Sequence, residues 1–289
     1  MEQHDRPPRG RRRIGGSPDA ACDDPRDPAA LAADALLDHP SFASTLANGL
    51  AVLGCFSATE ALLGNKDFAQ RLGLSKPTIS RLSFTLVALG YLRRDAATGK
   101  YRLGPAVLSL GYPLLTQLAI RQAAAAEMLE LARHARGPVS VGVRDRLQVV
   151  YVETTVARQS NATRPGIGSA RPLLRTAIGR ALLHACAPAE RAALERRLQQ
   201  AQPEEWQLYG ARLPQAYEEI ERLGFCAVTA DWRPTLAGVA VPMRIRLEGL
   251  PAAFNLTVPT YTADSARLSH DLGPRLVELV RTVESRLGA

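Results

Sequence analysis

The run from Asn65 to Leu103, NKDFAQRLGLSKPTISRLSFTLVALGYLRRDAATGKYRL, constrains this chain more than any other stretch. Its spacing predicts a short helix over about Lys66 to Leu72, with Phe68, Ala69 and Leu72 on the apolar side. Gly73 ends that helix in a left-handed conformation. Leu74 packs the turn, Ser75 is an N-cap, and Pro77 falls in the first turn of a second helix, where a missing N–H costs little. The second helix is expected to run to about Leu89, because Ile79, Leu82, Leu86 and Leu89 form one apolar stripe and Gly90 follows. Lys76, Thr78, Ser80, Arg81, Phe84 and Thr85 are left on the remaining surface. Two alternating runs, Tyr91 to Arg94 and Lys100 to Leu103, flank a Gly-containing turn and predict a β-hairpin. Tyr91, Leu92, Tyr101 and Leu103 are expected to face the helices, and Arg93, Arg94, Lys100 and Arg102 to point outward.

Two helices across a tight turn make a helix-turn-helix, and a hairpin directly after the second helix makes a wing. In such a unit the second helix enters the major groove of duplex DNA and reads base edges from its N-terminal half. Lys76, Thr78, Ser80, Arg81 and Thr85 are therefore the expected readers: Arg bonds guanine, and Ser or Thr bonds base edges or phosphates. Arg93, Arg94, Lys100 and Arg102 are expected on the sugar-phosphate backbone. From Lys66 to Arg102 there are eight basic residues against two acidic ones, in a chain of 289 residues with net charge +8. Most of the formal excess thus sits in this one region, and the isoelectric point near 9.7 points to an anionic partner. The bland alternative is a small helical subdomain with a solvated basic face.

Three motifs carry a family resemblance: Asp67-Phe-Ala-Gln-Arg-Leu-Gly-Leu-Ser-Lys-Pro-Thr-Ile-Ser-Arg-Leu, Leu89-Gly-Tyr-Leu, and Gly99-Lys-Tyr-Arg-Leu-Gly. Together they resemble the winged helix-turn-helix of IclR-family transcriptional regulators, and the likeness extends over about residues 45 to 287. It implies an α+β protein: an N-terminal winged helix-turn-helix, linker helices, and a C-terminal GAF-like effector-binding domain whose antiparallel sheet is flanked by helices. It implies a homodimer or homotetramer that binds double-stranded DNA and answers to a small molecule. The expected organisation is a disordered basic arm over 1–40, the DNA-binding domain over 41–104, linker helices over 105–136, and the GAF-like domain over 137–289.

The remaining sequence fits that plan. Residues 1–40 are rich in Arg, Pro, Asp, Gly and Ala, with little to bury, and read as a disordered arm that either touches DNA through Arg6, Arg9, Arg11, Arg12 and Arg13 or is simply a solvated tail. Ser44 to Leu63 is apolar, with Leu46, Leu50, Leu53 and Phe56 at helical spacing, and predicts a helix packed behind the helix pair. Ala106 to about Leu115 and Gln117 to Ala135 predict two helices, serving either as linker or as the first core helix of the next domain. Val139 to Arg144 and Leu147 to Glu153 predict a hairpin, and Thr154 to Ser169 a loop. Helices are expected from about Thr176 and from Pro188, then an irregular stretch from Glu204 to Gly210 and a helix from Leu213 to Leu223. Strands are expected from Phe225, Ala237 and Ala252, and Asp264 to Leu287 closes the chain as a helix kinked near Gly273-Pro274.

The resemblance places one wall of an effector pocket at Leu173, Leu174, Arg175 and Thr176, and the other at Val228, Gly238, Asn255 and Thr257. The alternation along the last strand puts Asn255 and Thr257 on one face and Phe254, Leu256 and Val258 on the other. Where many family members have a lysine in the following helix, this chain has Arg180. With Arg175 nearby, the pocket would suit an anionic ligand such as an organic acid; the alternative is that Arg175 faces solvent and Asn255 and Thr257 are ordinary sheet residues.

No other chemistry is indicated. Cys22, Cys55, Cys186 and Cys226 are far apart, and neither they nor the five histidines have zinc-site spacing, so no metal or cofactor is expected. There is no G-x-S-x-G or H-E-x-x-H, and Glu153 and Asp231 read as lone acids at the surface or in turns, which disfavours an enzyme. No apolar run approaches 18 residues and the N-terminus lacks a signal-type apolar core, so the reading is a cytoplasmic protein without a membrane partner. A competing reading keeps the DNA-binding half but makes it sequence-tolerant, the second half serving only to oligomerise.

Overall fold

A computed structural model describes residues 40–157 and 165–288. The arm expected over 1–40 lies outside the described residues except for Pro40, as do Cys22 and the middle of the loop expected before Ser169. The chain divides into two compact units between Val107 and Leu108.

The first unit begins with α1, Ser44–Gly54, then α2, Asn65–Leu72, and α3, Lys76–Ala88, followed by β1, Leu92–Arg94, and β2, Tyr101–Leu103. Its core gathers Val52, Phe56, Leu63, Phe68, Ile79, Leu82, Leu86 and Leu92. Asp67 starts α2 by accepting the Gly64 N–H at 2.8 Å, and Gly73 ends it at φ +66°, a conformation that penalises any side chain. The Ser75 hydroxyl accepts from Thr78 N at the head of α3. Three expectations are corrected. Leu89 is 61% exposed, because α3 ends at Ala88 and the buried stripe instead takes in Ser83, whose hydroxyl donates to Asn65 Oδ1 at 2.9 Å. Leu46 and Leu50 are 65% and 52% exposed, because α1 turns Val52 inward rather than that leucine pair. Leu103 is 40% exposed rather than turned to the helices.

The second unit is built on a six-stranded antiparallel sheet in the order β5-β4-β3-β8-β7-β6. Its strands are β3, Val139–Asp145; β4, Gln148–Thr155; β5, Ala170–Pro172; β6, Cys226–Thr229; β7, Leu236–Pro242; and β8, Ala252–Pro259. The helices, after α4, Ala106–Gln117, are α5, Ile120–Ala123; α6, Ala125–Ala135; α7, Ala177–His184; α8, Pro188–Ala201; α9, Pro203–Tyr209; α10, Leu213–Leu223; and α11, Gly273–Arg286. One face of the sheet packs Val139, Val141, Val239, Phe254, Leu256 and Val258 against α5, α6 and α11. The other packs Val149, Tyr151, Cys226, Val228, Ala240 and Ala253 against α7, α8 and α10. The helix expected as one piece over Gln117 to Ala135 is broken at Leu118 and again at Ala124, both buried as the chain bends onto the sheet. The stretch expected to be irregular after Glu204 is helical as α9, with Trp206 packed over Gly210 so closely that a Cβ there would lie 2.9 Å from the indole. The closing helix carries a π-helical turn, Leu268–Leu272, just before Gly273. Among the described residues no helix is long and apolar enough to cross a membrane.

Candidate DNA-reading surface and effector chamber

On α3, the buried residues Ile79, Leu82, Ser83 and Leu86 fix which side faces out. The opposite side exposes Lys76, Ser80, Arg81, Phe84 and Thr85. Of the expected readers, the Ser80, Lys76 and Arg81 side chains meet no partner among the described residues. Thr78 is half-buried and shares a 2.8 Å hydrogen bond with Ser75, so it belongs to the cap; the Thr85 hydroxyl donates back to Arg81 O at 3.0 Å. The next hairpin is held by Asp95, whose carboxylate accepts from Thr98 N and Thr98 Oγ1. These bonds hold the Asp95 pKa below the usual carboxylate value. Across the hairpin Arg93 stands directly opposite Arg102, and Arg94 opposite Tyr101. Arg93, Arg94, Lys100 and Arg102 are all exposed. Directly opposed like charges on a hairpin are unfavourable by themselves. Arg102 is eased by Asp95 at 3.5 Å, and Lys100 lies 3.9 Å from Asp67.

In the second unit, the face of the sheet under α7 carries a buried polar patch. Ser140 on β3 is flanked in register by Thr154 on β4 and Asn255 on β8, and Thr154 Oγ1 donates to Ser140 Oγ at 3.0 Å. The next row places Thr257, Gly238 and Val228 side by side across β8, β7 and β6. Asn255, Thr257, Gly238 and Val228 therefore share one side of the sheet. Asn255 Nδ2 donates to Thr257 Oγ1 at 3.0 Å, and Asn255 Oδ1, in a side chain only 5% exposed, has no hydrogen-bond partner. A buried acceptor left unpaired costs free energy unless something meets it. Tyr151 adjoins this patch; burial pushes its phenol pKa up, while Arg171 and Asn255 pull the other way.

The loop from Ala230 to Thr235 closes over that face. Arg171, on the edge strand β5, has its guanidinium carbon 5.7 Å from the Tyr151 ring centre and 4.6 Å from that of Trp232. Trp232 belongs to the β6–β7 connection at the other edge of the sheet, so the sheet is curled enough for its two edges to meet above the polar patch. Arg175 donates to Asp231 O at 3.1 Å and Trp232 O at 3.2 Å and lies 3.4 Å from Glu205. Arg175 is thus engaged with the loop rather than standing in solvent. Asp231 is no lone surface acid: it is 9% exposed, takes Arg180 Nη2 at 2.5 Å, and also accepts from Arg212. Glu153 likewise is not solitary, pairing with Arg121 at 2.7 Å. Leu173 and Leu174 are fully buried beside Tyr151 and Val228, and Thr176 caps α7 by accepting from Gly179 N at 3.1 Å. Val228 also lines a hollow of about 250 Å³ between α10 and β6, with Arg180, Glu219 and Asp231.

Sequence reasoning missed Tyr151, Ser140, Thr154, Arg171 and Trp232. Only the period-2 pattern of β3 and β4 hinted at the first three; nothing local brings Arg171 to Trp232. The described cysteines are buried thiols: burial pushes Cys226 up to about 12 and also raises Cys186, which suppresses the reactive thiolate. Among the described residues no three His, Cys, Asp or Glu side chains gather as a metal site would need.

An exposed basic helix with a wing, and a curled sheet with a buried polar patch on its inner face, fit a DNA-binding protein with a small-molecule sensor. The sequence profile of the IclR helix-turn-helix domain matches residues 45–96, and that of the bacterial transcriptional regulator IclR C-terminal domain matches residues 113–286. The chain belongs to the IclR family of transcriptional regulators; its two halves are a helix-turn-helix DNA-binding domain and an effector-binding domain, and it is not an enzyme. It is similar to the HTH-type transcriptional regulator TsaQ1/TsaQ2 of Comamonas testosteroni, 32% identical over 249 residues, which cover 85% of this chain and 88% of that one. It is 28% identical to the HTH-type transcriptional regulator XynR of Escherichia coli over 222 residues, 76% of this chain and 88% of that one. The crystal structure of an IclR family transcriptional regulator from Brucella abortus superposes with a TM-score of 0.78 at 37% identity, over 91% of this chain and 99% of that one.

Proposed function

We propose that the protein binds operator DNA as a homodimer or homotetramer, through α3 and the wing of each copy, and that a small organic anion in the chamber changes that binding. Residues 41–104 would be the DNA-binding domain, 105–136 the linker and 137–289 the effector domain. The observation that carries the DNA half is the pair of wing arginines, Arg93 and Arg102, held directly opposite each other, in a unit whose α3 exposes Ser80 and Arg81 with no side-chain partner among the described residues. A phosphate between like charges relieves their repulsion, so the hairpin is better satisfied on DNA than off it. The unpaired Asn255 Oδ1 supports a ligand in the chamber. The Arg171 guanidinium beside Tyr151 and Trp232 puts a cationic group near the patch, which supports an anion.

Two variants and a ligand screen test this. Arg81→Ala should lower discrimination between a selected operator and random duplex. Arg94→Ala should weaken both alike and flatten the salt dependence by about one unit of slope per contact. Equal effects of the two variants would show that readers and anchors are wrongly divided. A thermal-shift screen of small carboxylates on the full chain should raise the melting temperature for a subset, by mass action. A protein that binds random duplex as well as any selected one, and that no carboxylate stabilises, would instead be a sequence-tolerant binder with an oligomerising second half.

A further inference from the structure

The outermost ridge of α3 is apolar where a reading helix is expected to be polar. At 3.6 residues per turn, Pro77, Phe84 and Ala88 fall within a narrow strip opposite the buried Ile79–Leu86 side, flanked by Ser80, Arg81 and Thr85. All three are exposed, and Phe84 is 76% exposed, more than the apolar residues Leu46 and Leu50 of α1. Among the described residues of the first unit no ring packs on it: the packed aromatics there are Phe56, Phe68 and Tyr101. A largely exposed phenyl group at the crest of this helix, on the same surface as Ser80, Arg81 and Thr85, is placed to meet a polyanion that presents an apolar group at the depth of its groove. In the major groove of duplex DNA that group is the C5-methyl of thymine.

We infer that Phe84 is a specificity-determining residue that packs against a thymine methyl group in each half-site, while Arg81 and Ser80 on its flanks take the polar base edges. The inference rests on the proposed placement of α3 in the major groove. It adds that the operator must hold a thymine at the step Phe84 meets, and that the preference there is for a methyl rather than for a hydrogen-bonding pattern.

Deoxyuridine differs from thymidine at that methyl alone. A duplex selected from a random library by the full-length protein is resynthesised with each thymine replaced in turn by deoxyuridine, and binding is followed by fluorescence anisotropy. Wild type should lose about fourfold in affinity at one thymine per half-site, the value expected for one buried methyl-sized group. Phe84→Ala should bind the thymine and uracil duplexes equally there, and Phe84→Leu should keep part of the discrimination; unchanged melting of both variants shows that they fold. Tight, salt-sensitive binding with no uracil-sensitive thymine, or sensitivity that persists in Phe84→Ala, overturns the Phe84 assignment and leaves the groove placement standing. Failure to enrich any duplex overturns both. A drop in assembled mass on Phe84→Ala would assign the ring to a second copy of the chain instead.

Discussion

Asp231 serves two arginines in the second unit, one of them buried. It is 9% exposed and accepts from Arg180, itself 4% exposed, and from the half-exposed Arg212. Removing one partner of a buried pair leaves the other charge desolvated, which costs about 3–5 kcal/mol. Asp231→Ala should therefore lower unfolding free energy by about 3 kcal/mol in denaturant melts, because Arg180 keeps only its bond to Leu174 O. Arg212→Ala removes an exposed partner and should cost less than about 1 kcal/mol. Equal losses would mean that Arg180 is not the buried charge Asp231 serves. None of this was legible in the sequence, where Asp231 reads as an isolated acid before a tryptophan; its partners come from a helix and a turn distant along the chain. Asn255 and Thr257, by contrast, were legible as a pair, because strand alternation is local and the apolar Phe254, Leu256 and Val258 declare the other face.

At the scale of elements, what the sequence declared was set by short-range chemistry: the Ser75 cap, the Gly73 turn, the two-sided pattern of α3, and the hairpin around Gly99. What it concealed depends on packing. The exposed Leu46 and Leu50 carry the same spacing a buried stripe would, and α9 begins at a proline and lasts seven residues, too short for periodicity to show. The seating of α7 on its preceding loop makes a sharper prediction. A Cβ on Gly179 would lie 2.2 Å from Leu173 O and 2.5 Å from Leu173 Cα, so Gly179→Ala must push the Leu173–Thr176 wall off the helix. It should destabilise the protein by about 1–3 kcal/mol and weaken any carboxylate-induced thermal shift, with operator binding at low temperature unaffected. The closing helices add a pH dependence. The Asp271 carboxyl is held below its usual pKa first by His134 and then by Arg275, and Glu127 by Arg286. Depressed carboxyls contribute stability that is complete above their unfolded values and is lost as pH falls through the folded ones, so the loss belongs below about pH 4. Melting temperatures measured from pH 6 to pH 3 should hold steady and then drop, and Asp271→Asn should lower the plateau and shrink the drop.

Over the whole molecule, the described residues of one copy leave apolar side chains exposed in both units. In the first unit Leu46, Leu50 and Leu89 are exposed, and in the second Leu108, Leu110, Tyr112 and Leu114 along α4. Exposed leucines repeated along one helix are candidates for an association surface, and a helix-turn-helix protein that associates in pairs meets DNA at two half-sites about one helical turn, roughly 34 Å, apart. If α1 supplies that contact, the double variant Leu46→Glu, Leu50→Glu should sediment at a lower mass than wild type while melting normally, since neither leucine is in the core. Its affinity for a two-site duplex should fall to that for a single site. Inserting about five base pairs between the half-sites turns one to the opposite side of the duplex, given about 10 base pairs per turn. That insertion should cost the wild-type protein its two-site affinity and cost the double variant nothing further. A variant that keeps both its mass and its spacing sensitivity would move the contact away from α1, leaving the leucines of α4 to hold the copies together.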